Sequence, residues 1–488
     1  MTSAIKIVTK SRRHQQGLEC GSEQHPSNKS TIAPQLGRLG LTSVIFFTVS
    51  GGAYGLEPLV GSLNPGWAVV LILLVPLLWC LPIIWMVSEL SSALPEEGGY
   101  YIWVRKGLGD YWGFQEGWWT LCYTAVDMAI YPVLFVDYLA FFFPSLSLSG
   151  SGAALGHVFL ARWSVALLVV VTAFLINWRG IRAVGKSSSL TMALVLATFG
   201  LLTVAGFSRS GAIRTAFSAV RMGLAHGPSS HLLALGLATV LWNYSGWDNV
   251  STFAGEVKQA RRSYPLALGT AQFLIAAAYV LPVLAGVSLT TSATLWSESK
   301  GWPEIARLAG GPWVALVIAA MALVSAWSMF NSQLLYISRL PYAMAQEGWF
   351  PRVFARVSKR APVPVAALAA ACGVAALFAA FSFTQLVVLD VLLYSVELFL
   401  EFLALIALRV KKPELERPFR VPGGLPGLIL VTVLPMAFAA VVAVATLGGK
   451  GAQLYQLVAI PVVILTGTLI YLSRRAVATA PVAPRGGE

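Results

Sequence analysis

The sequence carries little charge for its length. Only 11% of its 488 residues are charged, whereas an ordinary soluble domain has about 25%. Hydrophobic residues make up 57% of the chain, and the mean hydropathy is +0.72. A soluble protein of this size could not bury so much apolar surface. The composition therefore excludes a disordered chain, a nucleic-acid-binding domain and a cytosolic enzyme, and it predicts a polytopic membrane protein.

Cysteine and histidine are also scarce. The four cysteines are scattered without a CxxC spacing, so neither a disulfide framework nor a metal site is predicted. The five histidines form no cluster, and His157, His226 and His231 lie in or near predicted outer loops. An intramembrane enzyme would need such a cluster of metal ligands or catalytic groups. We therefore expect no catalytic residue, no metal and no cofactor other than a coupling ion.

Long apolar stretches dominate what is present. A membrane-crossing helix needs roughly 20 mostly apolar residues. Twelve stretches qualify, numbered here spans 1 to 12, at about residues 40–62, 67–94, 112–143, 158–177, 187–207, 231–255, 265–290, 312–339, 363–382, 386–408, 424–447 and 452–473.

The basic residues alternate in density between successive loops. With the N-terminus inside, 27 of the 34 Lys and Arg fall on the cytoplasmic side. This bias predicts cytoplasmic termini and an even number of spans in a plasma or inner cell membrane, and it explains the net charge of +13 without an acidic partner. No nucleic acid is expected as a partner. The oligomeric state is open.

The expected organisation is one transporter domain between two tails. Residues 1–35 and 476–488 are predicted to be cytoplasmic tails, the first of them disordered. The domain at 36–475 divides into inverted repeats at about 40–207 and 231–408, followed by extra helices at about 424–473.

Two spans contain residues that interrupt a helix. Span 1 carries Ser-Gly-Gly-Ala-Tyr-Gly at 50–55, followed by Glu57 and Pro58, and span 6 carries Trp-Asn-Tyr-Ser-Gly-Trp-Asp at 242–248. Irregular backbone at membrane depth is tolerated where it is buried or lines a cavity. Matched breaks in the first span of each repeat are typical of an inverted-repeat secondary transporter with a midplane site. The alternative is ordinary packing of small residues between helices.

The acidic residues of the spans have no basic counterparts. Acids occur on spans 1, 3, 6 and 10, while no Lys or Arg lies in the middle of a span. Buried carboxyl groups without such partners must bind cations or hold protons. Asp390 and Glu397 are seven residues apart, and Glu401 follows one turn later, so the three share one helix face. We interpret Glu116 and Asp137 as interfacial, and Glu89 and Glu256 as interfacial or loop-pairing groups.

Several motifs resemble the amino acid–polyamine–organocation superfamily. They are the Pro-Glu-Glu-Gly-Gly-Tyr-Tyr-Ile-Trp stretch at 95–103, Tyr-Trp-Gly-Phe-Gln-Glu-Gly-Trp at 111–118, and Ala-Gly-Glu-Val at 254–257. The stretches at 50–57, 127–139 and 242–252 are similar to plant and protozoan polyamine–proton symporters. The resemblance implies an all-α LeuT-like fold of five plus five spans, proton coupling, and a site lined by spans 1, 3, 6, 8 and 10. One departure is Glu57, which would oppose the carboxylate of an amino acid unless it is protonated.

The sequence therefore predicts a proton-coupled polyamine symporter that works by alternating access. The expected substrate-binding residues are Gly51, Gly52, Ala53, Tyr54, Gly55, Glu57, Asp127, Trp242, Asn243, Tyr244, Trp247, Asp248, Tyr394 and Glu397. The expected proton-coupling residues are Glu57, Asp127, Glu397 and Glu401. An amino-acid transporter on the same fold and a membrane sensor without transport are the alternatives. Sodium coupling stays open because Ser325 and Ser328 offer hydroxyl ligands on span 8.

Overall fold

The computed structural model describes residues 33–147, 155–297, 301–358, 362–379, 383–447 and 454–479. Within these residues the regular structure is helical, and β-pairing is limited to isolated bridges. Nine described helices are long and apolar enough to cross a membrane, and three shorter apolar helices belong to spans 1, 6 and 9. The predicted all-α, multi-span fold is confirmed. The predicted boundaries of the repeats and tails stay predictions, and residues 1–32 and 480–488 lie outside the described residues.

Each predicted span corresponds to helical structure. In chain order the helices of the spans are Arg38–Val49 with Glu57–Leu63, Pro65–Val75 continued by Pro76–Cys80 and Leu81–Ala93, Asp110–Leu139, Leu155–Trp178, Ile181–Phe207, Ser230–Asn243, Ala260–Leu289, Pro312–Ile337, Val365–Phe378, Phe383–Lys411, Gly424–Leu447 and Leu454–Thr479. Short helices between spans are Tyr100–Leu108, Ala212–Leu224, Gly301–Gly310 and Arg339–Gln346.

Span 1 is broken where the sequence predicts it. Its first helix ends at Val49, and its second begins at Glu57. Gly52 and Gly55 both have φ of +87°, a conformation that side chains with a Cβ rarely adopt. The Glu57 carboxylate accepts a hydrogen bond from the Gly55 N–H at 2.7 Å. The glycines therefore turn the chain, and Glu57 satisfies one of the backbone groups that the break releases.

Span 6 is broken in the same way. Its helix ends at Asn243, and the chain continues through two short 3₁₀ turns, Asn249–Thr252 and Ala254–Glu256. Gly246, with φ of +91°, lies in the irregular segment. The hydroxyl of Tyr279 on span 7 donates to the Asn243 carbonyl at 2.7 Å. Neighbouring side chains thus replace the hydrogen bonds that a continuous helix would have made.

The broken spans lie among spans 3, 8 and 10. Span 3 packs against spans 8 and 10, and the helix Arg38–Val49 packs against spans 5, 7 and 8. Spans 11 and 12 are far more exposed, because only 22% and 11% of the residues in their most apolar 18-residue stretches are buried within the protein. The buried polar residues therefore collect in the centre of the bundle, where both breaks lie.

One end of the bundle is closed by ion pairs. We call it the basic end; it is where span 3 begins and span 10 ends. Arg339 donates to Glu256 at 2.8 Å with both side chains buried, and Arg409 donates to Glu89 at 2.6 Å. Glu347 accepts hydrogen bonds from Tyr101 and pairs with Arg105. Glu89 and Glu256 are thus paired as predicted, but they are fully buried rather than interfacial.

Candidate functional site

A polar pocket lies where the two breaks meet spans 3, 8 and 10. Its lining comprises Thr48, Val49, Tyr123, Asp127, Tyr131, Trp242, Asn243, Ser245, Gly246, Asn249, Met329, Gln333, Asp390 and Tyr394. These residues come from spans 1, 3, 6, 8 and 10, which are the five that the resemblance implies. The cavity has a volume of about 20 Å³, which is room for little more than one water molecule. The pocket is therefore almost closed in this conformation.

Asp127 forms one wall of the pocket. Tyr131, one helical turn later on span 3, donates its hydroxyl hydrogen to Asp127 Oδ1 at 2.7 Å. Gln333 of span 8 in turn donates to the Tyr131 hydroxyl oxygen at 2.6 Å. The indole ring of Trp242 stacks on the Tyr131 ring with centroids 6.4 Å apart. This chain of contacts fixes the orientation of a carboxylate that is only 4% exposed.

Asp390 brings a second carboxylate to the same pocket. It lies on span 10, is 3% exposed, and its Oδ1 atom is buried without a hydrogen-bond partner. Asp127 and Asp390 are the two acids of the lining, and none of the described lining residues is Lys or Arg. Two carboxylates in such a place are complementary to a solute with two positive charges.

Tyrosines connect the pocket to the break of span 6. Tyr394 donates to Asp248 and accepts a hydrogen bond from the Gly246 N–H at 3.3 Å. Tyr123 donates to Asn249 Oδ1 at 2.6 Å, and its ring meets that of Tyr394 edge to face at 5.4 Å. Asp248 itself lies behind Tyr394, outside the lining, and is fully buried.

The predicted site residues of span 1 lie outside the pocket lining. Gly51 accepts a hydrogen bond from Ser325 at 2.5 Å, and Ala53 accepts one from Trp302 at 2.7 Å. Tyr54 donates to the Ile318 carbonyl at 2.7 Å. The Glu57 carboxylate accepts a hydrogen bond from the Tyr138 hydroxyl at 2.6 Å and the one from the Gly55 N–H already described. These residues, together with Gly52, hold the break in place, and their role in substrate binding stays a prediction.

The remaining predicted residues divide between pocket and core. Trp242, Asn243, Asp127 and Tyr394 line the pocket. Tyr244 and Trp247 are fully buried and lie outside the pocket lining. The indole N–H of Trp247 donates to the Tyr244 carbonyl at 2.8 Å, and the Tyr244 hydroxyl donates to the Ile72 carbonyl at 3.2 Å. Their role as walls of the site also stays a prediction.

Glu397 and Glu401 lie with Glu116 rather than in the pocket lining. The three side chains are fully buried, and their carboxylate oxygens lie within 4.8 Å of one another. We call these three residues the carboxyl cluster. Span 10 covers the face of span 3 that carries Glu116, and the interfacial position expected for this residue stays a prediction. Asp137, by contrast, is 40% exposed at its side chain and pairs with Arg162.

Several lining residues were absent from the predicted site. Asp390, Tyr123 and Tyr131 are one or two turns from predicted residues on the same helix faces, so helical spacing could have added them. Gln333 and Met329 carry no comparable signal, because span 8 has no break and no acid in its middle.

Two broken helices around a buried polar pocket define a membrane transporter of the inverted-repeat class. The profile of the amino acid permease family matches residues 36–470. Polyamine transporter PUT1 of Oryza sativa subsp. japonica is 35% identical over 438 residues, which cover 87% of this chain and 78% of the relative. Polyamine transporter RMV1 of Arabidopsis thaliana is 32% identical over 405 residues, covering 83% and 79%.

The chain belongs to the amino acid permease family, within the amino acid–polyamine–organocation superfamily. The resemblance drawn from the sequence motifs is therefore confirmed, as is the expectation of a transporter rather than an enzyme.

Proposed function

We propose that this protein is a secondary active transporter that imports polyamines together with protons by alternating access. The observation that carries the proposal is the pocket, where Asp127 and Asp390 are buried without a basic side chain among the described lining. A diamine such as putrescine has two ammonium groups, each of which can bind one carboxylate. The names of the similar plant proteins support the same substrate class.

The other pocket walls suit the rest of a polyamine. Tyr123, Tyr131, Trp242 and Tyr394 present aromatic rings to the cavity. Aromatic faces attract ammonium groups and pack against methylene chains. Asn243 and Ser245 add polar groups at the break. An amine can thus exchange its water shell for carboxylates, hydroxyls and rings.

The same fold could carry an amino acid, and the description of the matched family favours this second candidate. An amino acid brings a carboxylate of its own, which Asp127 and Asp390 would repel. Amino-acid transport is therefore less compatible with the charge of the pocket than polyamine transport. Competition between an amino acid and putrescine for uptake would test it.

The orientation of the protein follows from its basic residues. We assign the basic end to the cytoplasm of a plasma or inner cell membrane, with both termini inside. Arg339, Arg409 and Arg417 lie at this end, and cytoplasmic loops are enriched in Lys and Arg. Under this assignment the ion pairs Glu256–Arg339 and Glu89–Arg409 close the inner exit in this conformation, and they must separate when substrate leaves inward.

The coupling ion is proposed to be the proton. Carboxyl groups for it are available at Glu57, Asp127, Glu397 and Glu401, as the sequence predicts. Sodium would need oxygen ligands, and Ser325 and Ser328 were the candidates. The Ser325 hydroxyl donates to the Gly51 carbonyl at 2.5 Å, and that of Ser328 to the Val324 carbonyl at 2.7 Å. Both hydroxyls thus donate to the backbone and keep oxygen lone pairs that could ligate sodium, so the sodium arm of the transport assay decides between the two ions.

Uptake of radiolabelled putrescine or spermidine into proteoliposomes tests the proposal. An inward proton gradient is imposed, with and without a protonophore and with and without sodium. We expect accumulation that the protonophore abolishes and that sodium leaves unchanged. Asp127→Asn should reduce uptake, whereas Glu414→Gln, at an exposed residue of the loop between spans 10 and 11, is the matched control. Amino-acid uptake without polyamine flux would overturn the substrate, and binding without flux would indicate a sensor.

A further inference from the structure

The carboxyl cluster is the most densely acidic part of the described protein interior. Glu116 of span 3 and Glu397 and Glu401 of span 10 are each 0% exposed. One oxygen from each lies within 4.8 Å of the others. Two carboxylates at such a separation already disfavour simultaneous ionisation, because like charges repel strongly in a medium of low dielectric constant.

The cluster oxygens are almost entirely without hydrogen-bond partners. Thr120 donates to Glu397 Oε1 at 2.6 Å. Glu397 Oε2 and both oxygens of Glu116 and Glu401 are buried without a partner among the described residues. The buried glutamates Glu89 and Glu256, by contrast, are paired with arginines. Three ionised carboxylates left in this state would be very costly, so the cluster must carry positive charge or protons.

Among the described residues, the groups found to interact with the cluster supply no positive charge. Those that interact with it electrostatically are Asp248 at the break of span 6, Asp390 of span 10, and the phenols of Tyr100, Tyr123 and Tyr394. All of these are acids. None of the ion pairs found among the described residues includes a cluster glutamate.

The cluster lies between the pocket and the basic end. On span 10, Glu401 follows Asp390 by 11 residues, or about 16 Å of helix, and precedes Arg409 by eight, or about 12 Å. On span 3, Glu116 precedes Asp127 by the same 11 residues and follows the helix start at Asp110 by six. Buried ion pairs lie at this end, and we expect water to reach the cluster from here when they separate.

We propose that Glu116, Glu397 and Glu401 form a shared proton-binding site, distinct from the carboxylates of the pocket, which releases its proton when the basic end opens. This inference rests on the proposed function and names where its coupling proton is held. On opening, a carboxyl O–H bond breaks, the proton passes to water, and the remaining carboxylate is hydrated. While the end is closed, the proton neutralises the cluster.

The break of span 6 links this site to the pocket. Asp248 accepts a hydrogen bond from Tyr394, which lines the pocket, and its Oδ2 atom is buried without a partner. Asp248 also interacts electrostatically with all three cluster glutamates. The charge of the cluster is therefore coupled electrostatically to Asp248, whose hydrogen-bond partner Tyr394 lines the pocket.

A divalent metal ion is the alternative occupant of the cluster, because calcium takes six to eight oxygen ligands and the three carboxylates with the Thr120 hydroxyl offer seven. A proton needs only one oxygen, and the test below distinguishes the two. An ammonium group would need space, and the cavity described above ends at Asp390 and Tyr394 on span 10.

The test uses the double variant Glu116→Gln with Glu401→Gln, which keeps side-chain volume and removes two titratable groups. Glu414→Gln is the matched control. The full-length protein is reconstituted in vesicles, and the membrane potential is clamped to zero. Putrescine accumulation inside the vesicles is then measured while an inward proton gradient is imposed. Wild type and control should accumulate putrescine about tenfold for each pH unit and each coupled proton. The double variant should stop at equal concentrations inside and outside.

Three further measurements separate coupling from folding and from substrate binding. Equilibrium binding of labelled putrescine and putrescine–putrescine exchange should persist in the double variant, with the Kd changed less than about threefold, or under 1 kcal/mol. Infrared difference spectra in H₂O and D₂O should show a protonated carboxyl band in wild type that is weaker or shifted in the double variant, where Glu397 is the one remaining carboxyl of the cluster.

Four outcomes would overturn the assignment. Gradient-driven accumulation at the wild-type level in the double variant would put the coupling proton elsewhere. A Kd raised more than about tenfold would make the cluster an ammonium site. Stoichiometric binding of Ca²⁺ or Mn²⁺ to wild type that the double variant loses would make it a metal site. If wild type exchanges no polyamine at all, the proposed function fails; the infrared band then still decides whether the cluster holds a proton, and its absence from wild type overturns that as well.

Discussion

The charge of Asp127 offers the sharpest test of how this pocket recognises its substrate. Asp127→Asn keeps the side-chain volume and the oxygen that accepts from Tyr131 at 2.7 Å. The variant therefore removes one negative charge and little else. A hydrogen bond to a charged group contributes about 1.5–3 kcal/mol. Losing it should raise the Kd for putrescine about ten- to a hundredfold, since each 1.4 kcal/mol is a factor of ten.

The structure also predicts how Asp127 and Asp390 act together. Both line one pocket from different helices, and neither has a basic partner among the described lining residues. Asp390→Asn should therefore weaken putrescine binding to a similar degree. In the double variant a diamine should bind no better than a monoamine, because neither ammonium group keeps its carboxylate.

Scintillation proximity binding of labelled putrescine to purified protein measures these affinities without any need for transport. Butylamine, with one ammonium group, serves as the comparison ligand, and Glu414→Gln as the comparison variant. A Kd for putrescine within twofold of wild type in both Asp127→Asn and Asp390→Asn would refute the assignment of these carboxylates to the ammonium groups.

Three other outcomes are expected. Arg339→Gln leaves Glu256 buried without its partner, so the protein should lose about 3–5 kcal/mol of stability; an unchanged thermal midpoint in detergent would contradict this. Gly52→Ala should impair folding or transport, because φ is +87° and an added Cβ would lie 2.7 Å from Phe199; wild-type uptake and yield would contradict it. Ser325→Ala removes the hydrogen bond to Gly51 but no charge, so uptake should stay independent of sodium, as in wild type; a sodium-dependent uptake by wild type that Ser325→Ala loses would make sodium the coupling ion instead.

The breaks and spans were predictable because their causes are local. Ser50 to Gly55 and Trp242 to Asp248 contain the residues that interrupt a helix, and the apolar runs around them have the length of a membrane crossing. The helices of all twelve spans lie close to the predicted bounds. Periodicity and composition act within a few turns of chain, so sequence reasoning reaches this level directly.

The partners of the acidic residues were much less predictable. The sequence named Glu57 as a group that holds substrate or a proton, but it did not indicate that Gly55 and Tyr138 donate to this carboxylate. It named Glu116 as interfacial, but it did not indicate that Glu397, 281 positions away in the sequence, is its neighbour. Helical spacing gives the face of a helix that a side chain occupies, but not the helix that packs on that face.

The sequence by itself determined that this chain is a multi-span membrane protein, where its helices run, and where two of them break. It also determined that acids without basic counterparts occupy the spans. The tertiary structure decided which of those acids meet, bringing Asp127 and Asp390 into one pocket and Glu116, Glu397 and Glu401 into one cluster. The physical reason is that hydropathy and backbone propensity are properties of neighbouring residues, whereas a binding site arises from contacts between helices far apart in the chain.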